Sequence, residues 1–209
     1  MKHTAYAFAE EVDRLIAELT GEAFHRRIGR AKTLREELYP LSRLALFLKL
    51  PGLHVEVEAF EDSGRADGHI QITGFREEEF EVQLTYAGYE SADALRSELL
   101  VTQGYAPGAG AISRGKRRAP IVTTIAAVDH DEHINRISAA VVEKFLKKAT
   151  KLYASGTVLL VAFEEVKLFG RPAWSALFSA IERSGGMIES QFSKVYLFNG
   201  ATNELHRAA

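Results

Sequence analysis

Asp67, Glu81 and Gln83 are residues whose types and spacing can do chemistry. Glu81 and Gln83 lie two apart in the alternating run Phe80-Glu81-Val82-Gln83-Leu84, so on a strand both project from one face. Asp67 enters the preceding alternating run with the parity of its polar face. In an antiparallel meander these positions would bring two carboxylates and an amide oxygen to one side of neighbouring strands. Hard cations such as Mg2+ or Mn2+ take such oxygen ligands. Two carboxylates ~4 Å apart repel by roughly 4 kcal/mol at an effective dielectric of about 20, so their convergence calls for a cation or a proton. A bound Mg2+ polarises a phosphodiester and acidifies an attacking water. Glu58, on the polar face of the first alternating run, is a further candidate for the metal shell.

The elements that must position these residues follow from periodicity. Phe8, Val12, Leu15 and Leu19 recur at helical spacing and predict a helix from about Thr4 to Thr20, stopped at Gly21. A basic stretch follows. Thr33 with Glu36 then reads as a capping box opening a helix that Pro40 should kink and Pro51-Gly52 should end. Three period-two strands come next, centred on Val55, Ile70 and Val82, joined by short polar turns. A helix is expected from about Ser91 to Thr102, then a glycine-rich basic loop from Gly104 to Ala119, and a buried strand from Ile121 to Val128. Asp129 or Asp131 would cap a long helix from about Glu132 to Ala154. The apolar run Thr157 to Phe163 reads as a strand buried on both faces. A helix around Trp174 and a strand from Val195 to Phe198 close the chain, with a frayed tail after Asn199.

Composition narrows the function classes. Hydrophobic residues are 46% of 209, enough for a substantial core, so wholesale disorder is excluded. There is no cysteine, which removes disulfides, thiolate catalysis and cysteine-ligated metals. No apolar run approaches the roughly 18 residues that span a bilayer, and Glu10, Glu11 and Asp13 interrupt any leader-like segment. These features predict a cytoplasmic protein with no membrane partner. The net charge of −2 does not advertise nucleic acid, so local charge has to carry that reading.

The segments Arg65-Ala66-Asp67-Gly68-His69-Ile70 and Phe80-Glu81-Val82-Gln83 resemble the PD-(D/E)XK nuclease superfamily, whose motif sets an acid on one strand and Glu-x-Lys on the next. The element order agrees, and the resemblance covers roughly residues 53 to 165. It implies a single α/β domain over 1–209 with a restriction-endonuclease-like core. Residues 1–52 would supply N-terminal helices, 53–165 a mixed central sheet with a three-stranded antiparallel meander flanked by helices, and 166–209 a final helix and strand. It also implies Mg2+- or Mn2+-dependent hydrolysis of phosphodiester bonds in DNA, with Asp67 and Glu81 on the metal. An acid from the N-terminal helix, Glu10 or Glu11, often completes such sites. The departure is Gln83, where the family usually has lysine; a minority of restriction enzymes of this fold use Glu-x-Gln. Glutamine carries no charge to the scissile phosphate. The alternative is therefore an inactive protein of this fold that binds nucleic acid or a protein partner.

Lys148 is the candidate substitute cation. At 100° per residue it falls between Ile137 and Val141, inside the apolar stripe of its helix, where a lysine needs a partner or must snorkel. Arg114, Lys116, Arg117 and Arg118 form a basic cluster that would track a phosphate backbone. The run Asp129-His130-Asp131-Glu132-His133 offers metal-ligand types, but consecutive residues at a helix start do not face one point, and helix capping explains the acids. Cutting both strands of a palindrome would further require a homodimer.

Overall fold

The structure is a computed structural model that describes residues 2–60, 66–88, 91–107, 110–116, 119–126, 129–187 and 191–209. A mixed seven-stranded sheet organises the chain in the order β1-β2-β3-β4-β7-β8-β9. Its strands are β1 (His3–Thr4), β2 (Leu53–Ala59), β3 (Gly68–Gly74), β4 (Glu78–Tyr86), β7 (Val158–Phe163), β8 (Lys194–Asn199) and β9 (Glu204–Arg207). The meander β2-β3-β4 is antiparallel, β4, β7 and β8 run parallel, and β1 and β9 are antiparallel edges.

Each face of the sheet has its own core. On one, α1 (Ala5–Ala17) and α4 (Tyr39–Leu48) set Phe8, Val12, Leu41 and Leu44 against Val55, Ile70, Val82 and Leu160. On the other, α6 (His130–Ala149) and α7 (Gly170–Arg183) set Ile137, Val141, Phe145 and Trp174 against Leu159, Val161 and Leu197. β7 contributes to both, which is why its sequence is apolar without alternation. The polar parity of the meander faces the α6 side of the sheet.

Several local expectations are corrected. Gly21 does not end the N-terminal helical region but opens α2 (Gly21–Arg26), because the Thr20 hydroxyl accepts the Ala23 N–H. Thr33 is not a cap: it closes α3 (Arg30–Thr33), and Leu34–Leu38 continues as a π-helix in which the Tyr39 N–H reaches back to the Leu34 carbonyl. Pro40 has no N–H and its ring crowds the carbonyl four residues back, so the chain widens by one residue per turn instead of kinking. The glycine-rich stretch holds α5 (Ser91–Gln103) against a hairpin of β5 (Ile112–Arg114) and β6 (Ile121–Thr123). The expected buried strand at 121–128 is thus a short strand outside the main sheet. Val122 is 63% and Ile125 91% exposed, since periodicity cannot tell which sheet an apolar run joins; residues 127 and 128 lie outside the described residues. α6 stops at Ala149, short of the expected Ala154, and Leu152 beyond it is 97% exposed. The tail is ordered as β9, turned by Asn203 in the left-handed region (φ 56°) and anchored by Trp174 Nε1 donating to Glu204 Oε2 at 3.0 Å.

Candidate functional site

The ladder between β3 and β4 ends on a side chain. Backbone pairing runs from Ile72 opposite Glu78 to Gly68 opposite Val82. One step on, the Asp67 N–H donates to the Val82 carbonyl at 3.0 Å. The Leu84 N–H then donates to Asp67 Oδ2 at 2.5 Å, where a continuing ladder would offer a backbone carbonyl. This contact fixes the Asp67 carboxylate at the end of β3, on the face of β4 that carries Gln83 and Glu81.

Lys148, in the last turn of α6, reaches down to that face. Its Nζ donates to Gln83 Oε1 at 3.0 Å and stands 3.7 Å from Asp67 Oδ2. Burial pushes the ammonium below its ordinary pKa, with Lys151 adding to the fall; Asp67 and Glu37 oppose it. Glu37 lies on the π-helix. Its carboxyl is pushed up, first by burial and then by the negative charges of Asp67 and Glu36. Tyr153, just beyond α6, is pushed up by burial and by Asp67, and its hydroxyl is buried with no hydrogen-bond partner among the described residues.

The remaining expected ligands are placed differently. Glu81 stands opposite His69 on one side and Glu58 opposite His69 on the other. Glu58 and Glu81 are therefore two strands apart, about 10 Å at strand spacing, and do not share one shell. Asp67 and Glu81 are diagonal neighbours, for which Cα separations are roughly 7–8 Å. Among the described residues no three His, Asp or Glu side chains group to hold a metal ion. Glu10 and Glu11 are exposed on α1, and the N-terminal acid that meets Asp67 electrostatically is Glu37.

The basic cluster is divided, and the acidic run caps a helix as its sequence indicated. Arg114 lies on β5 and is tied to Glu98 Oε1 at 2.5 Å, which holds the Glu98 carboxyl low. Lys116 is exposed, and Arg117 and Arg118 lie outside the described residues. Asp129 caps α6 by accepting the Glu132 N–H at 2.7 Å. His133 turns into the interior, with Nε2 2.7 Å from Lys167 Nζ and Nδ1 3.4 Å from Glu165 Oε2.

A second polar group adjoins the first and was not legible in the sequence. Arg27 is buried and bonds Glu36 at 3.2 Å, the Tyr86 hydroxyl at 2.9 Å and Glu164 at 3.0 Å. Its guanidinium lies 4.4 Å from the Tyr86 ring centroid. Glu164 also takes Arg35 at 2.5 Å. Burial works against the Arg27 charge, but Tyr86, Glu164 and Glu36 outweigh it; burial and Glu164 push the Tyr86 phenol up. The adjacent residues Glu36 and Glu37 thus serve two clusters from one π-turn. The signal in the sequence was Pro40, whose backbone constraint sets that turn.

Compared with known proteins, the chain matches no protein-family model and has no significant match to a curated protein or a solved structure. Among the described residues no helix is long and apolar enough to cross a membrane.

Proposed function

We propose that this chain is a nuclease-like protein of restriction-endonuclease-like fold that hydrolyses phosphodiester bonds in DNA with Mg2+ or Mn2+. One observation carries the reading: Lys148 supplies, from α6, the cation that Gln83 does not, at 3.0 Å from Gln83 and 3.7 Å from Asp67. The sheet supports it, because an antiparallel meander passes into a parallel strand with the acidic positions on its α6 face.

The donor set suits a hard cation whose shell substrate and water complete, since Mg2+ is commonly held by one or two carboxylates plus phosphate oxygens. Asp67 and Glu81 would hold it, and the ion would polarise the phosphate and acidify the attacking water. The chain's own groups do the rest. Lys148, fixed by Gln83, sets positive charge where negative charge builds on the phosphate oxygens. Glu37, with its raised pKa, holds or passes a proton more readily than an ordinary carboxylate. Gln83 keeps the ammonium from swinging to solvent.

Calorimetric titration of Mn2+ into wild type and Asp67→Ala, with cleavage of plasmid and linear DNA alongside, tests the reading. Binding and cleavage are expected in wild type and lost in the variant. Cleavage that survives Asp67→Ala overturns the assignment. Absence of both binding and cleavage in wild type, with DNA present, supports instead a non-catalytic protein that binds nucleic acid or a protein partner. The capture of Asp67 Oδ2 by Leu84 N–H and Lys148 is the feature that favours that second reading.

A further inference from the structure

A cleft of about 550 Å3 opens beyond the carboxyl ends of the parallel strands β4 and β7, bounded by Tyr86, Ala87 and Gly88 past one and by Glu164 past the other. Ligands of open α/β sheets bind at such strand ends, and the volume falls within the range of small-ligand sites, about 300–1,000 Å3.

The lining combines two chemistries: small apolar residues, Ala87, Ala92, Ala111, Ile112, Ile137 and Ala140, and charged or polar ones, Arg27, Arg35, Arg96 and Arg136 with Asp93, Glu164 and His25. Most of this charge is committed. Arg27 and Arg35 share Glu164, and Arg96 holds the rim through the carbonyls of Pro107 at 3.2 Å and Gly110 at 3.1 Å and through Asp93 at 2.9 Å. Arg136 is different. It is exposed on α6, lines the cleft, and has no hydrogen-bond or ion-pair partner among the described residues. A rigid bed of paired guanidiniums with one uncommitted arginine at its mouth suits a phosphate, which guanidinium recognises through two parallel hydrogen bonds. The apolar part of the lining suits a base and sugar.

We propose that the cleft binds one phosphorylated nucleotide, with the phosphate on Arg136 and the base and sugar against the apolar part of the lining. The site does not depend on hydrolysis, and the ligand is either a free mononucleotide or the 5′-phosphorylated end of a strand.

Calorimetry in EDTA, which removes any metal-dependent event, tests it. The probes are the four deoxynucleoside 5′-monophosphates in turn, and a tetranucleotide with and without a 5′-phosphate. Binding at one site is expected, weakened roughly ten- to hundredfold by Arg136→Ala, as loss of a charged hydrogen bond implies, and retained in Asp67→Ala. Ala111→Trp, which fills the cleft from an exposed position, should abolish it; circular dichroism reports folding of each variant. Binding of the monophosphates without the phosphorylated strand identifies a free nucleotide; binding of the phosphorylated strand, with or without the monophosphates, identifies a strand terminus. No binding by any probe, equal binding of the phosphorylated and hydroxyl strands, or unchanged affinity in Arg136→Ala overturns the proposal. Because Asp67→Ala leaves the cleft intact, its failure in cleavage and a failure of nucleotide binding are separate results.

Discussion

Lys148 Nζ lies 3.7 Å from Asp67 Oδ2, although the two residues are 81 positions apart and approach from a helix and from the bend that leads into a strand. The pair is four-fifths shielded on the lysine side, where the Lys148 side chain is 19% exposed. Gln83 sits beneath it as a hydrogen-bond acceptor, so the ammonium is held by one charge and one amide oxygen.

If that ammonium serves the proposed hydrolysis, Lys148→Met should lower kcat by about 10²–10³-fold, the loss typical of removing one preorganised electrostatic group. Lys148→Arg should recover little, because a planar guanidinium does not replace a compact ammonium in the same space. Single-turnover cleavage rates measured with both variants would settle it; a rate within threefold of wild type for Lys148→Met rules out the role.

Asp67 shifts its two neighbours in the same direction on the pH scale, with opposite meaning. It raises Glu37 above the ordinary carboxylate value and partly offsets the fall that burial imposes on Lys148. Asp67→Asn should therefore move Glu37 down towards its ordinary value and Lys148 further below its own. The stability consequence has a definite sign. A carboxyl with a raised folded pKa binds more protons when folded, so stability falls as pH rises through the window between the unfolded and folded values. That acid-side slope should shrink in Asp67→Asn. NMR titration of the Glu37 side-chain carbonyl and Lys148 Nζ, with urea unfolding from pH 4 to 8, measures both; an unmoved Glu37 would contradict the placement.

Arg27 joins the segment after α2 to the π-helix and to the end of β7 through Glu36 and Glu164. With an Arg27 side chain 6% exposed and Glu36 at 12%, deleting one partner leaves the other desolvated. Arg27→Ala should cost about 3–5 kcal/mol, the range for breaking a buried pair from one side. Arg27→Met with Glu36→Gln should recover much of it, since no buried charge of that pair is then stranded. Midpoints of urea unfolding, compared at equal slope, decide between this and a loss of packing alone, which Arg27→Met by itself would relieve.

Much of the fold could be read from the chain itself. Period-two alternation placed β2, β3 and β4 to within two residues, and the continuous apolar run marked β7 as buried on both faces. Both signals are local, because alternation records which face of a strand meets the core. The helical angle of Lys148 also pointed towards the sheet, for the same reason. What failed were the readings that needed a partner. Val122 is apolar yet exposed because, among the described residues, its strand pairs only with β5, and Ile125 lies beyond that strand. The pairing of Arg114 with Glu98 likewise lay beyond what the basic run could show.

The sequence by itself determined the alternating meander, the absence of thiol chemistry, and the shared face of Glu81 and Gln83, since residue type and spacing suffice for these. Only the tertiary structure decided that Glu37, not Glu10 or Glu11, meets Asp67, and that Lys148 rests on Gln83. It also separated Glu58 from Glu81 by a strand. The physical reason is that charge and hydrogen bonding act over a few ångströms of space, while the residues concerned are 30 to 81 positions apart along the chain, and a π-turn of one extra residue is enough to choose which acid arrives.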